Sequence, residues 1–170
     1  MSDSALMKRE NTTAVREQNE LTQLVSFLLS DEEYGVEVLR VREIIRMPPI
    51  TKMPNTPHHV EGIINLRGKV IPIISMRKRF GLPEAGYTNH TRIMVMEVAG
   101  GLTGFIVDGV SEVIRIRSSE IQPPPPMVSG NLDQEFIMGV FNHGERLLII
   151  MDVERMFSKE EQEQFAACLE

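Results

Sequence analysis

The side chains that could do chemistry are few, and none is spaced for it. Four histidines, His58, His59, His90 and His143, and the single cysteine Cys168 are the residues that could hold a transition metal or act as nucleophile and base. A zinc site needs histidines one helical turn apart or paired cysteines, and neither pattern occurs. His58 and His59 follow Pro57 and read as loop residues. Cys168 has no paired histidine motif and reads as an incidental thiol. The carboxylates fall in predicted turns or on helix faces, with no pair that could divide general-acid and general-base roles. Gly100-Gly101 imitates a phosphate loop, but no helix opens after it and no lysine follows, so it reads as a hairpin turn. Catalysis, a metal and a cofactor are therefore not expected.

The composition narrows the remaining classes. A chain of 170 residues has room for one ordinary domain or two small ones sharing a core. A net charge of −6 argues against a nucleic-acid surface, which needs a clustered basic face. Seven Phe, two Tyr and no Trp leave few platforms for stacking bases. With one cysteine there is no disulfide framework, and a reducing compartment is expected. Residues 1–23 are interrupted by Lys8, Arg9, Glu10, Arg16, Glu17 and Glu20, so neither a signal peptide nor a membrane-inserted span is read there. They are expected to form a polar tail that orders only on a partner, and the protein is expected to be cytoplasmic.

Strands must position whatever function there is. In 62–80, two short β-branched runs, 63–64 and 70–74, predict strands. Between them, Asn65-Leu66-Arg67-Gly68 has Asn first and Gly fourth, as a type I turn prefers, leaving Arg67 outward at the tip of a hairpin. Pro72 has no N–H for a ladder, so the second strand is expected at an edge or bulged. Ser75 caps a helical turn to Phe80, which Gly81 and Pro83 stop. Upstream, 24–29 predicts a strand, 31–33 a charged turn, 34–41 a strand with Val36, Val38 and Val41 inward, and 43–47 a third strand. Pro48-Pro49 and Pro54-Asn55-Thr56-Pro57 then break regular structure. A loop over 81–89 precedes new β pattern at Thr91.

The second half repeats the first. Laying 35–45 on 104–114 matches Gly35 with Gly104, Val38 with Val107, Val41 with Val110, Glu43 with Glu112 and Ile45 with Ile114. Laying 62–80 on 139–157 matches Gly62 with Gly139, Asn65 with Asn142, Ile73 with Ile150 and Phe80 with Phe157. The two alignments differ by an insertion around the prolines of 123–126 and 131–134, expected as extended loop. Ser75 aligns with Asp152, another good cap, so a second helical turn is expected over 153–157. The reading is an all-β fold of two small five-stranded barrels from an internal duplication, about 24–89 and 90–157, with strand exchange between them admissible. Residues 158–170 follow as a C-terminal helix, opened by the capping box at 158–161, with Phe165 and Leu169 on one face.

Three stretches carry a resemblance: 33–44 (Glu-Tyr-Gly-Val-Glu-Val-Leu-Arg-Val-Arg-Glu-Ile), 62–74 and 107–113 (Val-Asp-Gly-Val-Ser-Glu-Val). Together, and collinearly over about 24–157, they resemble the CheW family of bacterial chemotaxis coupling proteins. The resemblance implies two SH3-like barrels and no enzyme. It implies an adaptor that joins the cytoplasmic tips of methyl-accepting chemoreceptors to the regulatory domain of a CheA-type histidine kinase, recruited to receptor arrays at the inner face of the membrane. Other CheW-like modules are further partners it admits. It carries receptor contact to Val41, Glu43, Gly62 and Arg67, and across a groove between the barrels to Ile93, Gly104, Val110 and Val113. There the stripe of a receptor helical hairpin would lie in an apolar trough. Kinase contact is carried to Ile50, Thr51, Lys52 and Met53. Without the family, Arg67 reads as a solvated turn residue and the valines as barrel core. A coupler of a related pathway, surface motility or second-messenger signalling, stays open beside this reading, as does a small-ligand-binding barrel. With few residues after Phe157, a stand-alone coupler is expected rather than one fused to a receiver domain.

Overall fold

The protein is described here by a computed structural model covering residues 20–124, 136–157 and 160–161. Its strands are β1 (Leu21–Leu29), β2 (Glu32–Glu37), β3 (Val41–Arg46), β4 (Val60–Leu66), β5 (Lys69–Ser75), β6 (Arg92–Val98), β7 (Gly101–Val107), β8 (Gly109–Arg117), β9 (Ile137–His143) and β10 (Arg146–Met151). A single-turn helix, α1 (Met76–Arg79), follows β5, and 3-10 turns occupy Val38–Arg40, Ser118–Glu120 and Val153–Met156. The tail before residue 20, the loop at 125–135, the capping box at Ser158 and the helix expected to carry Phe165, Cys168 and Leu169 lie outside the described residues.

The strands form two five-stranded sheets, one ordered β8-β1-β2-β10-β9 and the other β3-β6-β7-β5-β4. Within each, antiparallel neighbours are joined by one parallel pair, β2 with β10 and β5 with β7. Each sheet curls so that its first edge strand runs on and reaches its last. Thr51, beyond β3, pairs with Ile63 of β4, and Gln122, beyond β8, pairs with Val140 of β9. The fold is thus all-β, with two SH3-like barrels. The barrels do not divide at the expected 89/90 boundary. The halves exchange strands: β1 and β2 complete the barrel that β8, β9 and β10 build, while β6 and β7 join β3, β4 and β5.

Burial explains the exchange. In β6, Ile93 and Val95 face the interior of their own barrel with Ile64, Ile71, Ile73 and Ile106. Met94, Met96 and Val98 point the other way, into the seam. There they meet Phe105 and Val107 from β7, Val25, Phe27 and Leu29 from β1, and Val36 from β2. The other barrel encloses Leu24, Ile114, Ile116, Leu148 and Ile150. A strand with two buried faces needs a near-continuous apolar run, and β6 has it over 93–96. Each fully buried side chain such as Phe27 or Phe105 contributes about 1.5–3 kcal/mol.

Several local expectations are corrected. Residues 34–41 are not one strand: β2 ends at Glu37 and a 3-10 turn carries the chain across to β3 in the other sheet, leaving Val38 and Val41 half-buried. Glu33 is not in the charged turn but inside β2, 6% exposed, the reversal being made by Ser30 and Asp31 with Ser30 at φ +55°. The Arg67 turn is not type I. Leu66 pairs with Lys69, and both Arg67 (φ +50°) and Gly68 (φ +87°) are left-handed, the type I′ form whose twist suits a two-residue hairpin. Ala99 and Gly100 make the same turn between β6 and β7, so the hairpin read at 100–101 sits one residue earlier. Pro72 lies on an inner strand, tolerated because the ladder to β7 starts only at Ile73. The two caps form as expected: Ser75 Oγ accepts from the Lys78 N–H at 3.3 Å and Asp152 Oδ1 from the Glu154 N–H at 3.0 Å.

Candidate functional site: a partner-binding face

Gly62 fixes how the second barrel closes. It sits at a bulge in β4 with φ +152°, and a Cβ there would lie 2.1 Å from the carbonyl oxygen of Thr51. That space lets residues 50–51 cross tightly, with Thr51 and Ile63 exchanging backbone N–H···O bonds of 2.9 Å. Gly139 does the same in the other barrel, its missing Cβ lying 2.8 Å from the Gln122 carbonyl oxygen. Gly62 is buried, so it shapes the face without being displayed on it. Closure also positions the candidate kinase loop: Ile50 packs into the barrel interior, Thr51 is pinned, and Lys52 and Met53 are exposed.

Arg67 stands at the tip of the β4–β5 hairpin. The turn is stiffened by the Gly68 N–H, which donates to Asn65 Oδ1 at 2.8 Å. The guanidinium reaches across to β3 and grips Glu43 with both ends, Nη1 at 3.0 Å from Oε1 and Nη2 on Oε2. This hydrogen bond to Glu43, with the attraction between the charges, raises the Arg67 guanidinium further above its ordinary range. Since β3 and β4 are the two edges of the sheet, the pair bridges the seam of the closed barrel. Arg42 of β3 and Glu97 of the neighbouring β6 pair beside it, 2.5 Å apart, without crossing that closure.

The duplication reproduces the device. Glu112, twin of Glu43, lies on edge strand β8 and meets His143 of edge strand β9 at 3.1 Å. The aligned glutamates thus act alike, although their partners are not aligned: His143 stands one position before Gly144, the residue aligned with Arg67.

The other candidate receptor residues are dispersed. Val41 and Val110 are half-buried and pack onto the seam core, whereas Val113 is 58% exposed on β8. Ile93 is fully buried, and Gly104 has no room for a Cβ, which would lie 2.5 Å from Ile73 Cδ1 and 2.7 Å from Ile93 Cγ2. Between the barrels, among the described residues, the protein's own methionine, valine and phenylalanine side chains form a buried core. Val41, Glu43 and Arg67 on one barrel and Val110 and Val113 on the other are half-buried or exposed. Leu39, 87% exposed on the turn that crosses between the sheets, was not singled out from the sequence. Its neighbours Val38 and Val41 share the pattern of a strand, which hid the turn.

Among the described residues, no group of three His, Cys, Asp or Glu side chains is placed to hold a metal ion, and no helix is long and apolar enough to cross a membrane.

Comparison with known proteins places these features. The CheW-like domain model matches residues 23–161. Chemotaxis protein CheW of Klebsiella aerogenes is 37% identical over 135 residues, 79% of this chain and 81% of the relative. That of Treponema pallidum is 35% identical over 152 residues, 87% of this chain and 89% of the relative. The crystal structure of the scaffolding protein TtCheW from Thermoanaerobacter tengcongensis superposes with a TM-score of 0.74 at 40% identity, covering 81% of this chain and 92% of that one.

Proposed function

This chain belongs to the CheW-like domain family, and from that premise we propose that it is a non-catalytic adaptor in chemotaxis signalling, coupling chemoreceptor tips to the regulatory domain of a CheA-type histidine kinase. The observation that carries this reading is the family match across both barrels, 23–161, with relatives named as chemotaxis and scaffolding proteins over most of their own length. Receptor docking belongs to the rim formed by Val41, Glu43, Arg67, Val110 and Val113, with Gly62, Ile93 and Gly104 shaping it from beneath. Kinase docking belongs to the pinned loop at 50–53, where Lys52 and Met53 are offered to solvent. The protein works in the cytoplasm, at arrays on the inner face of the membrane. Its functional unit is the pair of barrels, with the segments before 24 and after 157 as appendages.

Signal passes through packing rather than bond-making. A receptor state that binds the rim better in one arrangement of the assembly shifts the kinase toward the conformation compatible with it, by no more than the difference in affinity. Each contact is modest, and the array supplies strength by multiplicity.

Co-purification with a receptor-tip fragment and with the kinase regulatory domain tests the reading. Capture of both by the wild type is expected. Arg67→Glu should lose the receptor fragment by roughly ten-fold or more while keeping the kinase domain and an unchanged circular dichroism spectrum. Failure to capture either partner would falsify the adaptor reading.

A further inference from the structure

The face assigned to the receptor carries its own carboxylates. Arg67 and Arg42 border an open depression of about 570 Å³ floored by Leu66, Val95 and Leu102. Each arginine is already matched, Arg67 by Glu43 and Arg42 by Glu97. Lys69, on the same wall, has no ion-pair partner among the described residues. Within the Arg67–Glu43 pair the exposure is lopsided: the arginine side chain is 73% exposed and the glutamate 29%. The guanidinium is therefore presented outward, with its end-on fork turned back onto the protein.

Closing the barrel does not require a guanidinium. In the other barrel the twin glutamate, Glu112, is held by His143, and the residue aligned with Arg67 is Gly144. An arginine at the tip is thus an addition peculiar to one barrel, at the rim where docking is assigned.

We infer that Glu43 is a placeholder: in the free protein it fills the two-pronged fork of Arg67 that an aspartate or glutamate on the receptor helix takes in the complex. The inference rests on the receptor reading above and concerns how that site is regulated. Docking is then an exchange of one carboxylate for another. While both pairs stay exposed the exchange is nearly neutral; once the partner covers Arg67 the new pair is screened less than the internal one and outweighs it. The exchange succeeds when the incoming carboxylate arrives with an apolar neighbour that covers Leu66 and Leu102. An acidic surface without that neighbour gains nothing by displacing Glu43, so the internal pair protects Arg67 from indiscriminate acidic partners.

The test is titration of a soluble helical-hairpin fragment of a chemoreceptor cytoplasmic tip against the full chain at low and high salt. Glu43→Gln is expected to bind roughly two- to five-fold tighter at low salt, with the gain shrinking as salt is raised. Arg67→Ala is expected to weaken binding roughly ten-fold, and adding Glu43→Gln to it to change nothing further. Unchanged or weaker binding by Glu43→Gln, alongside weakened Arg67→Ala, overturns the exchange and leaves the docking face standing. Unchanged binding by Arg67→Ala removes the docking face and the exchange with it. Should Glu43→Gln not fold, Glu43→Asp, one methylene short of the two-point grip, is expected to show the same tightening.

Discussion

Glycine at position 62 is decided by one carbonyl. With a Cβ the backbone of 50–51 must move, since the obstructing atom is the Thr51 carbonyl oxygen and not a side chain that could swing aside. Gly62→Ala is expected to destabilise by roughly 2–4 kcal/mol in urea unfolding, and to weaken kinase capture because the loop carrying Lys52 and Met53 is unpinned. Gly68→Ala is the control. It also has positive φ, but a Cβ there meets nothing within 4 Å, so only conformational strain of about 1 kcal/mol is expected. The identity of Gly62 with Gly139 was legible in the sequence; its cause was not, because the obstructing atom belongs to a segment eleven residues upstream in one copy and seventeen in the other. In the same way Arg67 could be read at a hairpin tip, whereas its grip on Glu43 depends on barrel closure, which periodicity does not reveal.

At the level of elements, α1 is too short to stand alone and is held by its ends. Ser75 caps it, and Arg77 clasps Asp108 in the β7–β8 corner through two hydrogen bonds of 2.8 and 2.6 Å. The Ser30 N–H adds a third to the same carboxylate at 2.7 Å, so one acid joins α1, the β1–β2 turn and the β7–β8 corner. Burial by itself would raise the Asp108 carboxyl, but the hydrogen bonds from Arg77 and Ser30 outweigh it and hold it below the ordinary value. A depressed folded-state value means that the unfolded chain binds the proton more readily. The stabilisation is therefore complete above the ordinary carboxylate range, near pH 4, and is lost as the pH falls further. Asp108→Asn should cost about 1 kcal/mol at neutral pH, discounted for the partial exposure of the pair, and should remove part of the acid-induced loss of stability. Thermal midpoints of both proteins at pH 7 and pH 3.5 check this: the gap between them should narrow in acid.

For the molecule as a whole, the seam is the largest common core, and it couples the barrels. Phe105→Ala opens a void between them and is expected to cost roughly 3–5 kcal/mol, lowering the stability of both barrels in one transition rather than splitting the curve into two. Tryptophan probes placed one in each barrel should report the same midpoint. The repeat and the number of strands were readable from the sequence because glycine, asparagine and β-branched residues recur in step. Which strand joins which sheet was not, since an apolar run such as 93–96 looks the same whether its second face meets its own half or the other. Hence 24–89 and 90–157, made as separate polypeptides, should each fail to show a cooperative unfolding transition.

The strand order has a temporal side. All five strands of one barrel lie in an unbroken stretch, from Val41 to Val107, set between the two parts of the other. As the ribosome delivers the chain, β1 and β2 emerge first yet lack β8, β9 and β10, while the nested barrel has every strand it needs once β7 has left the exit tunnel. The interior unit is thus able to close first and offer its methionine-lined flank as a template for the earlier hairpin, and the outer barrel is completed last, by the strands that emerge last.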